Sequence, residues 1–159
     1  MVFDPARGDT GKTADMHPDH QTEHWRQYAA SHIVLPTTGQ LLVGPGAIDD
    51  LTLPVPVHVV TAHNPAGMRR PDAHNAAANE ALKRHLIALG VEFLPADGMS
   101  PDGSWVEAGF AVGGLSRPRA RALAAAFDQD AFFELTENHV IIVTTAEATI
   151  ASRRRRRFD

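Results

Sequence analysis

The 159-residue chain contains no cysteine. Disulfides, thiolate metal sites and a cysteine nucleophile are thereby excluded. Long apolar runs are missing as well: Val140 to Val143 is typical of the longest, far short of the roughly 20 residues a membrane helix needs. The start, MVFDPARGDTGK, has no basic segment leading into an apolar one. No signal peptide is expected from it, and the expected location is cytoplasmic. The sequence has no GxSxG, Walker or GxGxxG motif, and no base stands beside Ser104. Serine-nucleophile and nucleotide-loop chemistry are therefore unsupported, and no cofactor is expected.

Basic charge is scarce outside one place. Arg153 to Arg157 supply five of the fifteen Lys and Arg residues, and of the nineteen Asp and Glu only Asp159 follows them. The body is thus acidic, poor material for a surface that tracks phosphates. Contact with nucleic acid is expected only through the arginine tail, which reads first as a solvated end. No membrane partner is expected. The 43% hydrophobic and 21% charged residues are ordinary for a globular protein, and the length suits one domain with a real core.

Four segments follow along the chain. Residues 1–19 mix Asp, Gly, Thr and Pro without periodicity and read as a lead-in. Residues 20–56 read as a helix from His20, HQTEHWRQYAASHIVL, then a Pro/Gly-rich connector with short extended pieces at Leu41–Val43 and Ala47–Ile48. Residues 57–145 form the core domain, and residues 146–159 the tail. Within the core, VHVVTA is a strand rich in β-branched residues. AHNAAANEALKRHLIALG is a helix begun by Pro71-Asp72 and stopped by Gly90, with Leu82, Leu86 and Leu89 as its core stripe. VEFLPA and EAGFAVGGL are strands on either side of the turn-rich DGMSPDGSW. Ser116 caps a second helix carrying Ala120, Leu123, Ala124 and Phe127, and AFFEL pairs with HVIIVT across Thr136-Glu137-Asn138. The order β-α-β-β-α-β plus one extra strand predicts an α+β fold on the ferredoxin-like plan.

That topology fixes directions. The exit of the first strand, the start of the first helix, the loop from Asp97 to Glu107 and the segment Phe127-Asp128-Gln129 all gather at one edge of the sheet. The leucine stripe, extended backwards by threes and fours, reaches Asn79 and Asn75 on the same level. A buried amide without partners costs about 1–3 kcal/mol, so Asn64, Asn75 and Asn79 must find each other, loop backbone or a ligand. Taken singly, each asparagine suits a turn, each carboxylate suits the surface, and Trp105 suits a lid on the core. Their convergence with His63 predicts a binding pocket. His17, His20 and His24 have a spacing a metal could use, but only Glu23 stands near as a further ligand, and no metal site is expected.

From Val57 to about Val143 the chain resembles a bacterial family known only as domain of unknown function 3293. Thr61-Ala62-His63-Asn64-Pro65-Ala66-Gly67, Asn75, Pro95, Gly98 through Asp102-Gly103, Glu107 and Phe127 to Phe133 carry the resemblance. This chain has His63 where the family pattern has an aromatic, and Asp128 where it has glycine. The family implies no activity.

The expected function is recognition of a small polar molecule at that edge. His63, Asn64, Asn75, Asn79 and Gln129 would bond it, Asp102 and Glu107 would take cationic or hydroxyl groups, and Trp105 would stack. If a reaction occurs, Glu107 or His63 is the general base. The alternative is a non-enzymatic protein-interaction module using the sheet edge and the arginine tail.

Overall fold

The computed structural model describes residues 26–47, 51–146 and 149–154 of the chain. Among the described residues eight strands form one antiparallel sheet: β1 (His32–Leu35), β2 (Gln40–Val43), β3 (Val57–Thr61), β4 (Phe93–Met99), β5 (Val106–Gly113), β6 (Ala131–Leu135), β7 (His139–Thr144) and β8 (Thr149–Arg154). Their order across the sheet is β2-β1-β4-β5-β3-β6-β7-β8. Among the described residues three α-helices accompany it: α1, described over residues 26–30, α2 (Asp72–Leu89) and α3 (Arg117–Ala126).

The α+β class holds, but the strand order of the whole sheet departs from the ferredoxin-like plan. Two strands flank the four central ones on each side, where one extra strand was expected. One pair comes from a misread segment. His32–Leu35, expected to continue the first helix, is β1, and it pairs with β2 on one side and β4 on the other. Ile33 and Leu35 point into the core from β1, an alternation that a four-residue strand is too short to advertise. The other added strand is β8, which pairs with β7 and carries Arg153 and Arg154, the first arginines of the expected tail. The second strand also runs further than VEFLPA. Asp97, Gly98 and Met99 continue β4 because β5 pairs with them on one side and β1 on the other. Pro95 is tolerated there because β1 reaches only as far as Asp97, leaving no neighbour on the side of the missing N–H.

The sheet buries both faces. Val60, Phe110, Val112 and Phe132 pack against Leu82 and Leu86 of α2 and Ala120, Leu123 and Ala124 of α3. Each such leucine contributes roughly 1.5–3 kcal/mol by leaving water. Leu89, expected in the same stripe, is 38% exposed at the end of α2, where Gly90 turns the chain away with φ 68. On the other face Ile33, Leu35, Val57, Val59, Phe133 and Ile142 share a second core with Tyr28 of α1. Tyr28 and Phe133 have ring centroids 6.4 Å apart. Strands β1 and β6 are four places apart, roughly 19 Å in a flat sheet. Tyr28 precedes β1, so α1 reaches across this face of the sheet toward β6.

Candidate functional site

Strand β3 ends at Thr61, whose Oγ1 donates to the Ala108 carbonyl of β5 at 2.7 Å and accepts the His63 amide at 3.0 Å. The chain then enters a single 3-10 turn, Pro65–Gly67, through Asn64 in the left-handed region (φ 48, ψ 60). Asparagine tolerates that region better than most residues because its short amide bonds locally. Here the amide does more. Asn64 Nδ2 donates to Glu107 Oε1 at 2.8 Å, and Asn64 Oδ1 accepts from Asn75 Nδ2 at 3.0 Å and from the Arg70 amide at 2.9 Å. Asn75 Oδ1 in turn accepts the Asn64 amide at 2.9 Å. All three side chains are buried. The group works as a latch: one asparagine ties β5, α2 and the loop before α2 together.

A second support comes from behind. Gln129 Nε2 donates to the His63 carbonyl at 3.0 Å, and the Ala66 amide donates to the Asp128 carbonyl at 2.6 Å. Ala66 and Asp128 both have φ 54. Three non-glycine residues in the left-handed region, Asn64, Ala66 and Asp128, thus face one another across this edge. Such conformations cost about 1–3 kcal/mol each and persist only where neighbours enforce them.

In front of the latch lies a cleft of about 490 Å³, lined by His63, Asn64, Arg69, Arg70, Asp72, Asn75, Ala76, Asn79, Glu80, Ser104, Trp105, Val106 and Ala108. Asp72, Asn75, Ala76, Asn79 and Glu80 stand at helical spacings of three and four, so one face of α2 forms a wall. Alternation along β5 puts Val106 and Ala108 on the helix side and Glu107 on the other. The Arg69 guanidinium stands 5.6 Å from the Trp105 ring centroid. Among the described residues three buried side-chain polar atoms have no hydrogen-bond partner: His58 Nδ1, Asn79 Oδ1 and Trp105 Nε1. The last two belong to residues that line this cleft.

The expected site residues therefore separate into three groups. His63, Asn64, Asn75, Asn79 and Trp105 line the cleft. Glu107 and Gln129 lie behind it, buried, and hold the latch and the His63 backbone. Asp102 is elsewhere: exposed in the β4–β5 turn, it accepts from Ser100 Oγ and from Ser104 N and Oγ. Those bonds hold its carboxyl down at about 2. Burial pushes the His63 imidazole below its ordinary value, with the Glu107 and Asp97 carboxylates opposing, so it is neutral at pH 7. Arg69, Arg70, Asp72 and Glu80 were missed because charges around a helix start read as solvated surface; all four are indeed exposed, and they join the site as residues lining the cleft. His17, His20 and His24 lie outside the described residues.

A separate buried polar group sits under the start of α3. Arg117 binds Glu134 through Nε at 3.0 Å and Nη2 at 2.7 Å, and His58 Nε2 lies 2.9 Å from Glu134 Oε2. His58 is fully buried, its ring edge-on to Phe132. Donation from Nε2 leaves Nδ1 as a bare lone pair, and protonating it would place an N–H without an acceptor in an apolar site. Burial accordingly lowers the His58 pKa against the pull of Glu134. For Glu134 burial acts upward, but the bonds from Arg117 and His58 outweigh it and the carboxyl is lowered. Both shifts make the unfolded chain bind more protons than the native one. Stability is complete above the ordinary histidine value of 6.5 and is lost as pH falls below it, first through His58 and then through Glu134. Urea unfolding between pH 7.5 and about 5 should show that slope. His58→Leu should flatten it, and an unchanged slope would assign it to other groups.

Such a fold and site define a two-faced antiparallel α/β domain whose sheet edge is closed by an asparagine–glutamate latch beside a polar cleft. Residues 60–132, from β3 into β6 and including every residue of the cleft, match the model of a family described as protein of unknown function (DUF3293). Over these residues the chain is similar to that uncharacterised family. No curated protein and no solved structure matches the chain.

Proposed function

We propose that the cleft between the start of α2 and the first residues of β5 binds a small polar molecule. The observation that carries the reading is that two residues lining this cleft, Asn79 and Trp105, each hold a buried polar atom without a partner, an acceptor on the first and a donor on the second. A fold gains nothing from burying them so, since each forfeits about 1–3 kcal/mol of hydration. Left-handed backbone at Asn64, Ala66 and Asp128 supports the reading, because strain of this kind collects at binding sites. In this reading Asn79 and Trp105 bond the ligand and His63 offers a neutral imidazole. Asn64, Asn75, Glu107 and Gln129 position the wall.

Asn79→Leu tests it. Replacing an unpartnered amide by an apolar side chain of similar size should raise stability by about 1 kcal/mol, or roughly 2–4 °C in a chain of this length. The same variant should lose the response of the Trp105 indole N–H resonance to a pool of small polar compounds. A fall of several degrees instead would make Asn79 part of the scaffold. The interaction-module reading, with partners on the sheet edge, would then move ahead.

A further inference from the structure

We infer that the ligand of this cleft is a small zwitterion of the amino-acid type, with a carboxylate at the Arg69–Trp105 end and an ammonium at the Asn79–Glu80 end. The inference rests on the reading above and adds a chemical class to it. Two cations, Arg69 and Arg70, and two anions, Asp72 and Glu80, line one cleft, and among the described residues none of the four is paired with another. Opposite charges that share a cleft and stay apart balance to zero there. A polyanion such as a nucleotide would meet two carboxylates, and a polyamine two guanidinium groups. A molecule carrying one charge of each sign meets neither problem.

The neutral atoms fit the same polarity. Trp105, whose Nε1 can only donate, lines the cleft beside the Arg69 guanidinium, 5.6 Å from its indole ring centroid. Both groups call for an anionic oxygen acceptor. Asn79 Oδ1 can only accept, and Glu80 is its neighbour on α2; both call for an N–H donor with positive charge. The apolar floor of Ala76, Val106 and Ala108 leaves room for a modest side chain, since the volume lies within the range of small-molecule sites.

The test uses the full-length ¹⁵N-labelled chain, with the Trp105 indole N–H assigned by Trp105→Phe. Probes are the free L-amino acids, their N-acetyl forms and their C-terminal amides, beside a pool of uncharged polar compounds and simple dicarboxylates, all at millimolar concentration. At least one free amino acid should shift the signal in a saturable way. Its N-acetyl and amide forms should bind about two- to fivefold more weakly each, the range for one exposed charge pair. Arg69→Met should abolish the preference for acid over amide, and Glu80→Gln the preference for amine over N-acetyl, each leaving the other preference intact. Equal binding of all three forms would overturn the zwitterion. A response to dicarboxylates or uncharged compounds alone would also overturn it, while leaving the binding reading in place. Silence toward every probe, with the variants folded by their amide spectra, would remove both.

Discussion

Gly109→Ala is expected to cost about 3 kcal/mol or more. Gly109 lies in the middle of β5, buried and opposite Thr61 of β3. A Cβ there would overlap the Val60 carbonyl oxygen and stand 3.1 Å from its carbon and 3.2 Å from Thr61 Cα. Overpacking by a methylene usually costs 1–3 kcal/mol because a side chain can move aside. Here the obstacle is backbone of a strand that pairs with β5 on one side and β6 on the other, so nothing flexible can give way. Urea unfolding measures the cost, and Gly103→Ala supplies the control. That residue has φ +71 and nothing within 4 Å of a Cβ, so only the left-handed conformation is penalised, by about 1–2 kcal/mol. If the two variants lost the same stability, the close approach of β3 and β5 would not be what glycine serves. The site would feel Gly109→Ala as well. Glu107 is two residues away, and a wider gap between the strands draws its carboxylate from Asn64.

What could be read in the sequence, and what could not, follows from how far each signal reaches. Asn75 and Asn79 were found because the period of α2 carries the Leu82–Leu86 stripe into its first turns. The placing of Gln129 near His63 followed from strand direction alone, and its bond to the His63 carbonyl has that geometry. The partnership of Asn64 with Glu107, 43 positions apart, has no local signature: both residues favour turns and surfaces when taken alone. Strand β1 escaped because its only cues are Ile33 and Val34 between a helix-like run and Pro36. The Asp97–Met99 extension of β4 runs against strand propensity and exists because two neighbours supply its hydrogen bonds. His58 and Glu134 were invisible for a related reason. A buried ionic group inside a strand becomes intelligible only when Arg117, at the start of the preceding helix, is seen to reach it.

Substitutions at Asn64 should separate two reasons for one residue. Asn64→Ala removes the donor to Glu107, the acceptor for Asn75 and the acceptor for the Arg70 amide, and places alanine at φ 48. Stranded buried partners cost about 1–3 kcal/mol each, partly relieved by rearrangement, and the conformation adds about 1. A loss of about 3–5 kcal/mol is expected. Asn64→Gly should recover only the conformational part, about 1 kcal/mol. If glycine restored nearly everything, the residue would be kept for its backbone and the latch would be incidental. Asn64→Asp carries the argument further. It keeps the acceptor toward Asn75 and Arg70 but turns the donor facing Glu107 into a second carboxylate oxygen at hydrogen-bond distance. Two carboxylates so placed cannot both ionise, so one would stay protonated in the native state. The folded protein would then bind more protons than the unfolded chain, and stability would fall as pH rises. The deficit of Asn64→Asp relative to wild type should therefore widen between pH 5 and 8, and more steeply than that of Asn64→Ala, which only removes a donor from the Glu107 carboxylate. A pH-independent deficit for the aspartate variant would mean that the carboxylate of Glu107 can turn away from position 64. The wall of the cleft would then be held by α2 and Asn75 rather than by β5.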